Sequence, residues 1–197
     1  MMNTVNVSDF PQPEYNRREI LRYMGQKTPD ELSDSLIDKC TALTDGRLSC
    51  RVCWAEYELK FTDCGVSFAG YEIKSRDLKK NLTDCNRVIL FCATAGLNMD
   101  RLTKKYAPVS PAMHSALQAT GAERVESLCD KFNDEINKKY ITAPRFSPGY
   151  GDVELSVQRI FFSLLSPDRN IGVTLGDDLM MRPTKSVTAF IGIKGDR

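Results

Sequence analysis

Arg145-Phe146-Ser147-Pro148-Gly149-Tyr150-Gly151-Asp152 brings a guanidinium, a turn, an aromatic ring and a carboxylate together within eight residues. Proline fixes its own φ and glycine accepts φ > 0, so Pro148-Gly149 makes a tight turn without strain. Gly151 leaves room for another group to approach the backbone. Such a turn presents Arg145 and Asp152 side by side, a pairing suited to a ligand carrying both an anion and a cation, such as an amino-acid zwitterion. Composition alone reads the same stretch as a structural turn in which Asp152 caps the helix that follows. The two roles are compatible.

The other chemistry-bearing residues give weaker signals. Seven cysteines occur, at positions 40, 50, 53, 64, 85, 92 and 129. Cys50-Arg51-Val52-Cys53 has the C-x-x-C spacing of a redox pair or of half a zinc site. No second C-x-x-C accompanies it, and the one histidine, His114, is remote in sequence. If the segment is a strand, Cys50 and Cys53 fall on opposite faces, which favours a structural reading. Cys40, Cys92 and Cys129 sit in apolar patterns and read as core fillers. Asp177-Asp178 reads as a solvated turn rather than a metal pair. The helix start at Gly96-Leu97-Asn98 has free N–H groups for an anion but no further glycine fingerprint. Arg182 and Lys185 face either water or an acidic partner surface.

The 197 residues suffice for one well-buried domain. Apolar residues make up 42% and charged residues 27%, the ordinary mix of a globular protein. Lys and Arg (27) nearly cancel Asp and Glu (26), leaving +1, and no basic stripe argues for nucleic acid. The longest apolar runs, such as 88–93, are far too short to span a bilayer. The N-terminal residues lack the basic start and apolar core of a signal peptide, so a cytoplasmic location is expected.

Several elements must position the loop. A short strand is expected over 4–7, and a helix over 16–24 capped by Asn16 and stopped by Gly25. A second helix is expected to start at Thr28-Pro29-Asp30-Glu31 and to carry Leu32, Leu36, Ile37, Cys40 and Leu43 as an apolar stripe. The 51–59 and 66–73 segments alternate and predict an antiparallel pair turning near 63–65. A short helix follows over 77–84. The continuous apolar run 88–93 predicts a central strand buried on both faces. Helices are expected over 99–106, 112–119 and 122–139, the last two separated by Gly121. In the last, Val125, Leu128, Cys129, Phe132 and Ile136 make one stripe and Glu, Asp and Lys the other face. A helix over 153–165 and closing strands over 171–175 and 186–193 complete the chain. The fold class is α+β: a single domain over 1–197, with a mixed or antiparallel sheet and flanking helices. Residues 1–48 form its N-terminal helical part and 49–197 its sheet-containing core.

The 145–152 run, the strand 171–175 and the segment Met180-Met181-Arg182-Pro183-Thr184-Lys185-Ser186-Val187-Thr188-Ala189-Phe190 together resemble the reactivation, S-adenosylmethionine-binding domain of cobalamin-dependent methionine synthase, in a short free-standing form. In that family an Arg-Pro-x-Pro-Gly-Tyr loop binds the ligand, and a Pro-x-x-Ser-Val-Ser/Thr strand follows. Helix 122–139 and Asn16 to Tyr23 are also similar. The resemblance implies a repair function. The domain binds S-adenosylmethionine and docks on the cobalamin module of methionine synthase or another corrinoid protein. The ligand's methyl then reaches oxidised cobalt once a flavodoxin-like or ferredoxin-like donor has supplied one electron.

By the same resemblance, Arg145 takes the ligand carboxylate, carbonyls of Pro148, Gly149 and Tyr150 accept from its ammonium and ribose, and the Tyr150 ring faces its sulfonium. Gly151, Asp152 and Glu126 are further expected contacts. The chain departs from the family in carrying Phe146 at the loop's first proline position and in ending soon after Ile193, without the long form's tyrosine segment. It has no corrinoid-binding Asp-x-His-x-x-Gly motif, so the cobalamin is expected on another polypeptide. Two alternatives are an interaction module that docks without ligand and a Cys50/Cys53 redox or metal protein.

Overall fold

In the computed structural model, which describes residues 4–197, the continuous apolar run is the middle strand of a five-stranded sheet. Five strands make this sheet: β1 (Asn6–Asp9), β2 (Arg51–Glu58), β6 (Arg87–Thr94), β7 (Tyr140–Thr142) and β10 (Ser186–Asp196). Their order is β1-β2-β6-β10-β7, antiparallel throughout. Side chains alternate along β6. Val88, Leu90 and Cys92 enter one core, and Ile89, Phe91 and Ala93 enter another on the opposite face. Both faces are covered, so neither needs polar residues and the run is apolar without interruption.

A single helix of 27 residues, α5 (Pro111–Asn137), covers the second face. Ser110 accepts a hydrogen bond from the Met113 N–H and Pro111 opens the first turn, a pre-organised start. Gly121 does not divide two helices, as the sequence suggests, but lies inside this one. A Cβ there would sit 2.7 Å from Met99 Cγ and 2.8 Å from Lys185 Cε. The glycine therefore serves close packing against α4 (Leu97–Tyr106) and the entry to β10.

The first face is covered by smaller pieces. The alternating 66–73 segment is not one strand. It is split into β4 (Gly65–Phe68) and β5 (Tyr71–Lys74) by a turn in which Ala69 and Gly70 both take positive φ, 49° and 83°. That geometry matches the twist of a two-residue hairpin. β4 pairs with β5 and with β3 (Lys60–Phe61), whereas β2 pairs with β1 and β6, so the expected pairing of 51–59 with 66–73 does not form. Likewise β8 (Thr174–Leu175) pairs with β9 (Met181–Arg182) outside the main sheet, and of the two expected closing strands only β10 joins it. The helices on this face are α3 (Arg76–Asn81) and α6 (Gln158–Leu165), the latter entered through a 3-10 turn over Leu155–Val157. Ser166 in the left-handed region ends α6, and Pro167 then opens the short α7 (Pro167–Asn170).

The N-terminal helices α1 (Arg17–Tyr23) and α2 (Glu31–Thr44) pack on α5. Asn16 caps α1 as expected. The cap of α2 is Asp30 rather than Thr28: its carboxylate accepts from the Ser33 N–H while Ser33 Oγ accepts from the Asp30 N–H. Leu32 is exposed and does not belong to the inward stripe.

The N-terminal segment is held by a buried charge that the apolar pattern of α5 does not announce. Arg124 is fully buried. Its Nε and Nη2 donate to both oxygens of Glu123, each at 2.6 Å, and further donors reach the carbonyls of Pro13 and Glu14. The Tyr15 ring stacks over the guanidinium at 3.8 Å. Glu123 also accepts from the Asn16 N–H and from Ser127 Oγ. Removing one partner strands a buried charge, so Arg124→Ala should lower unfolding free energy by about 3–5 kcal/mol. Urea denaturation measures this. A loss below about 1 kcal/mol, typical of an exposed pair, would show that the clasp is not desolvated.

Candidate ligand-binding site

The 145–152 loop is built as its residue types dictate. The Tyr150 N–H donates to Ser147 O at 3.2 Å and Gly149 has φ of 89°, a type II turn with Pro148 and Gly149 at its centre. The Gly149 N–H then donates to Val153 O at 2.9 Å and the Val153 N–H to Tyr150 O at 3.1 Å. These bonds leave the Pro148 and Gly149 carbonyls outside the turn's own pairing. Both ends of the loop are anchored. Phe146 and Phe190 exchange two backbone bonds, of 3.1 and 2.8 Å, which tie the loop to β10. A proline at position 146 could not donate the first of them.

Asp152 anchors the other end, and here the expected cap of the following helix is corrected. Its carboxylate accepts from Ser75 Oγ, from the Arg76 N–H at 2.8 Å and from the Asp77 N–H at 3.3 Å. It therefore caps α3, not the helix that follows it. A negative charge there satisfies otherwise unpaired N–H groups. Gly151, at φ of 54°, does admit a close neighbour, but that neighbour is the Asp77 side chain.

Arg145 reaches across to α5. Its Nη1 donates to Asp130 Oδ1 at 2.8 Å and its Nη2 to Glu126 Oε2 at 3.3 Å. Glu126 and Asp130 are four residues apart on one helix face, so one guanidinium spans both. A cavity of about 410 Å³ opens between α5 and the loop, lined by Glu126, Asn133, Arg145, Phe146, Ser147, Tyr150 and Val187. That volume lies in the range of about 300–1,000 Å³ common for small-molecule sites. Tyr150, which lines it, is 69% exposed. The cavity thus offers a cation, a carboxylate, an aromatic face and a hydroxyl. Of the expected residues it gathers Arg145, Tyr150 and Glu126, with Pro148 and Gly149 shaping the turn behind them.

Asp130, Asn133 and Val187 were not expected. The signal for the first two was present in the sequence: Glu126, Asp130 and Asn133 recur at helical spacing, but they read as the solvated side of an amphipathic helix.

The cysteine alternative finds no geometry. Cys50 lies in the core under α5 and Cys53 in the core on the other face, both buried. Burial pushes the Cys50 thiol above its ordinary value, away from the reactive thiolate. No helix among the described residues is long and apolar enough to cross a membrane.

The model of the vitamin B12 dependent methionine synthase activation domain matches residues 77–196. No curated protein matches the sequence. Among solved structures, the MetH reactivation domain bound to AdoHcy superposes with a TM-score of 0.71 at 12% identity. The alignment covers 99% of this chain and 80% of that one. The shared fold extends through α1 and α2, beyond the part that the family model matches.

The Asp152 anchor makes a pH prediction. Hydrogen bonding, first from Ser75 and then from the Arg76 N–H, holds this carboxyl below its ordinary value of 3.8. Its contribution is therefore complete above the unfolded-state value and is lost as pH falls through the lower folded one. Asp152→Ala should be less stable than the parent at neutral pH, and the gap should close as pH falls below the ordinary carboxyl value and through the lower folded one. Thermal melts across pH measure it. A gap that stays constant to acid would show that the charge does not hold α3.

Proposed function

The chain belongs to the vitamin B12 dependent methionine synthase activation-domain family, and we propose that it binds S-adenosylmethionine in the cavity between α5 and the 145–152 loop. It then docks on a separate corrinoid protein, a cobalamin-dependent methionine synthase or a related methyltransferase, so that inactive cob(II)alamin is methylated reductively. One observation carries the reading: Arg145, Glu126 and Tyr150 line a single cavity of ligand size.

The residues suit the two ends of the ligand. Arg145 is a planar fork matched to a carboxylate, and its two present bonds leave guanidinium donors over. The bond to Glu126 is the longer of the two. A ligand carboxylate at Arg145 can replace it, and the freed Glu126 carboxylate then accepts from the ligand's ammonium a short distance away. The Tyr150 ring presents a negative π-face to a sulfonium. S-adenosylmethionine supplies a methyl group already activated by positive sulfur. The chain's own task is to hold that group in a fixed orientation, with no side-chain nucleophile or base required.

The fixed loop supports this reading. A turn anchored to β10 and α3 gives up little conformational freedom when a ligand arrives. The electron donor, flavodoxin-like or ferredoxin-like in this reading, and the cobalamin both belong to other chains.

Isothermal titration with S-adenosylmethionine and S-adenosylhomocysteine tests the proposal. Both should bind. Arg145→Ala should weaken binding by about 10- to 100-fold, the range for a lost hydrogen bond to a charged group. Its melting should stay nearly unchanged, because the ion pairs it loses are partly exposed. No heat with either compound would favour the rival reading, a module that docks on a corrinoid protein without ligand.

A further inference from the structure

Glu126 and Asp130 both pair with Arg145 from α5, but they stand differently to the cavity. Glu126 is part of the cavity wall, whereas Asp130, about one turn further along the helix, lies outside it. The bond to Asp130 is also the tighter, 2.8 Å from Nη1 against 3.3 Å from Nη2 to Glu126. The i,i+4 spacing brings both carboxylates within reach of one guanidinium, so a long and otherwise flexible side chain is held at two points. A ligand separates the roles of those points. Its carboxylate takes the guanidinium from Glu126 and its ammonium takes Glu126, which leaves Asp130 as the carboxylate that still fixes Arg145.

We infer that Asp130 is a positioning residue of the site, which keeps Arg145 set for the ligand carboxylate once Glu126 has turned to the ammonium. The inference rests on the ligand assignment above. Its sign follows from comparing the two states. In the free protein Glu126 also holds the guanidinium, so losing Asp130 there costs little order. In the bound protein Glu126 is engaged elsewhere, and without Asp130 the arginine regains rotamer freedom that binding must then remove. Affinity responds to that difference between states and to nothing else. One effect opposes it, because a carboxylate beside Arg145 repels the ligand's own. The Asp130 side chain is 69% exposed, so solvent screens a repulsion acting across the guanidinium more than it weakens a hydrogen bond in direct contact. Orientation outweighs repulsion.

Titration of the full chain and of Asp130→Ala with S-adenosylhomocysteine and with 5′-methylthioadenosine tests this, since the second compound keeps the adenosyl sulfur and lacks the amino-acid end. Asp130→Ala should bind S-adenosylhomocysteine about three- to fivefold more weakly than the parent, the upper part of what a partly exposed ion pair supplies. Its affinity for 5′-methylthioadenosine should stay within about 1.5-fold of the parent's, because that compound has no carboxylate for Arg145. Equal losses for both compounds would show a merely structural role and overturn the inference. So would unchanged or tighter binding of S-adenosylhomocysteine, which would make Asp130 a bystander or a competitor for Arg145. If 5′-methylthioadenosine binds too weakly to titrate, the Arg145→Ala background decides. There Asp130→Ala should cost no further affinity for S-adenosylhomocysteine, and a further threefold loss would overturn the inference. A parent that does not bind S-adenosylhomocysteine overturns the ligand assignment and this inference with it, whereas a parent that binds it no better than Asp130→Ala overturns the inference alone.

Discussion

Two backbone hydrogen bonds between Phe146 and Phe190 fasten one end of the 145–152 loop to the sheet, and the carboxylate of Asp152 fastens the other to the first turn of α3. The cavity exists because both hold. β10 is itself fixed by its long pairing with β6, the strand buried on both faces. The loop therefore inherits the rigidity of the most buried element in the chain. Its Pro-Gly turn adds a conformation that costs little to maintain, since φ is set at Pro148 and tolerated at Gly149. Departure from the family motif at position 146 fits this picture, because phenylalanine supplies an N–H that proline lacks.

The opposite wall depends on α5. Its inward stripe packs on the sheet, and its other side contributes Glu126, Asp130 and Asn133 to the site. Just upstream, the Arg124–Glu123 pair binds the chain around Pro13 to Asn16 onto the same helix. A buried ion pair seldom adds much net stability, but it specifies one arrangement strongly, because any other leaves charges unpaired. The N-terminal helices are thereby joined to the helix that lines the site, in agreement with a structural likeness that spans almost the whole chain.

Much of this was legible in residue order. The turn at Pro148-Gly149, the cap at Asn16, the doubly buried strand 88–93 and the separation of Cys50 from Cys53 all follow from local stereochemistry or from a period of two. What stayed hidden was what tertiary contacts decide. Gly121 looks like a break, yet lies inside a helix because Met99 and Lys185 press against it. Asp152 looks like the cap of the next helix, yet caps a helix seventy-odd residues earlier in the chain. Residues 66–73 alternate like one strand, yet fold back at Ala69-Gly70. Spacing does not separate the polar residues of α5, because Arg124 and Glu123 are buried, Asn133 lines the cavity and others face solvent.

The central claim is that the guanidinium of Arg145 grips the methionyl end of an adenosyl sulfonium in the space under Tyr150. A crystal structure of the chain with S-adenosylhomocysteine tests it most directly. The account predicts density for the compound between α5 and the loop, its carboxylate on Arg145 and its ammonium on Glu126. Density elsewhere, or an empty cavity with Arg145 still bound to Glu126 and Asp130, would contradict it.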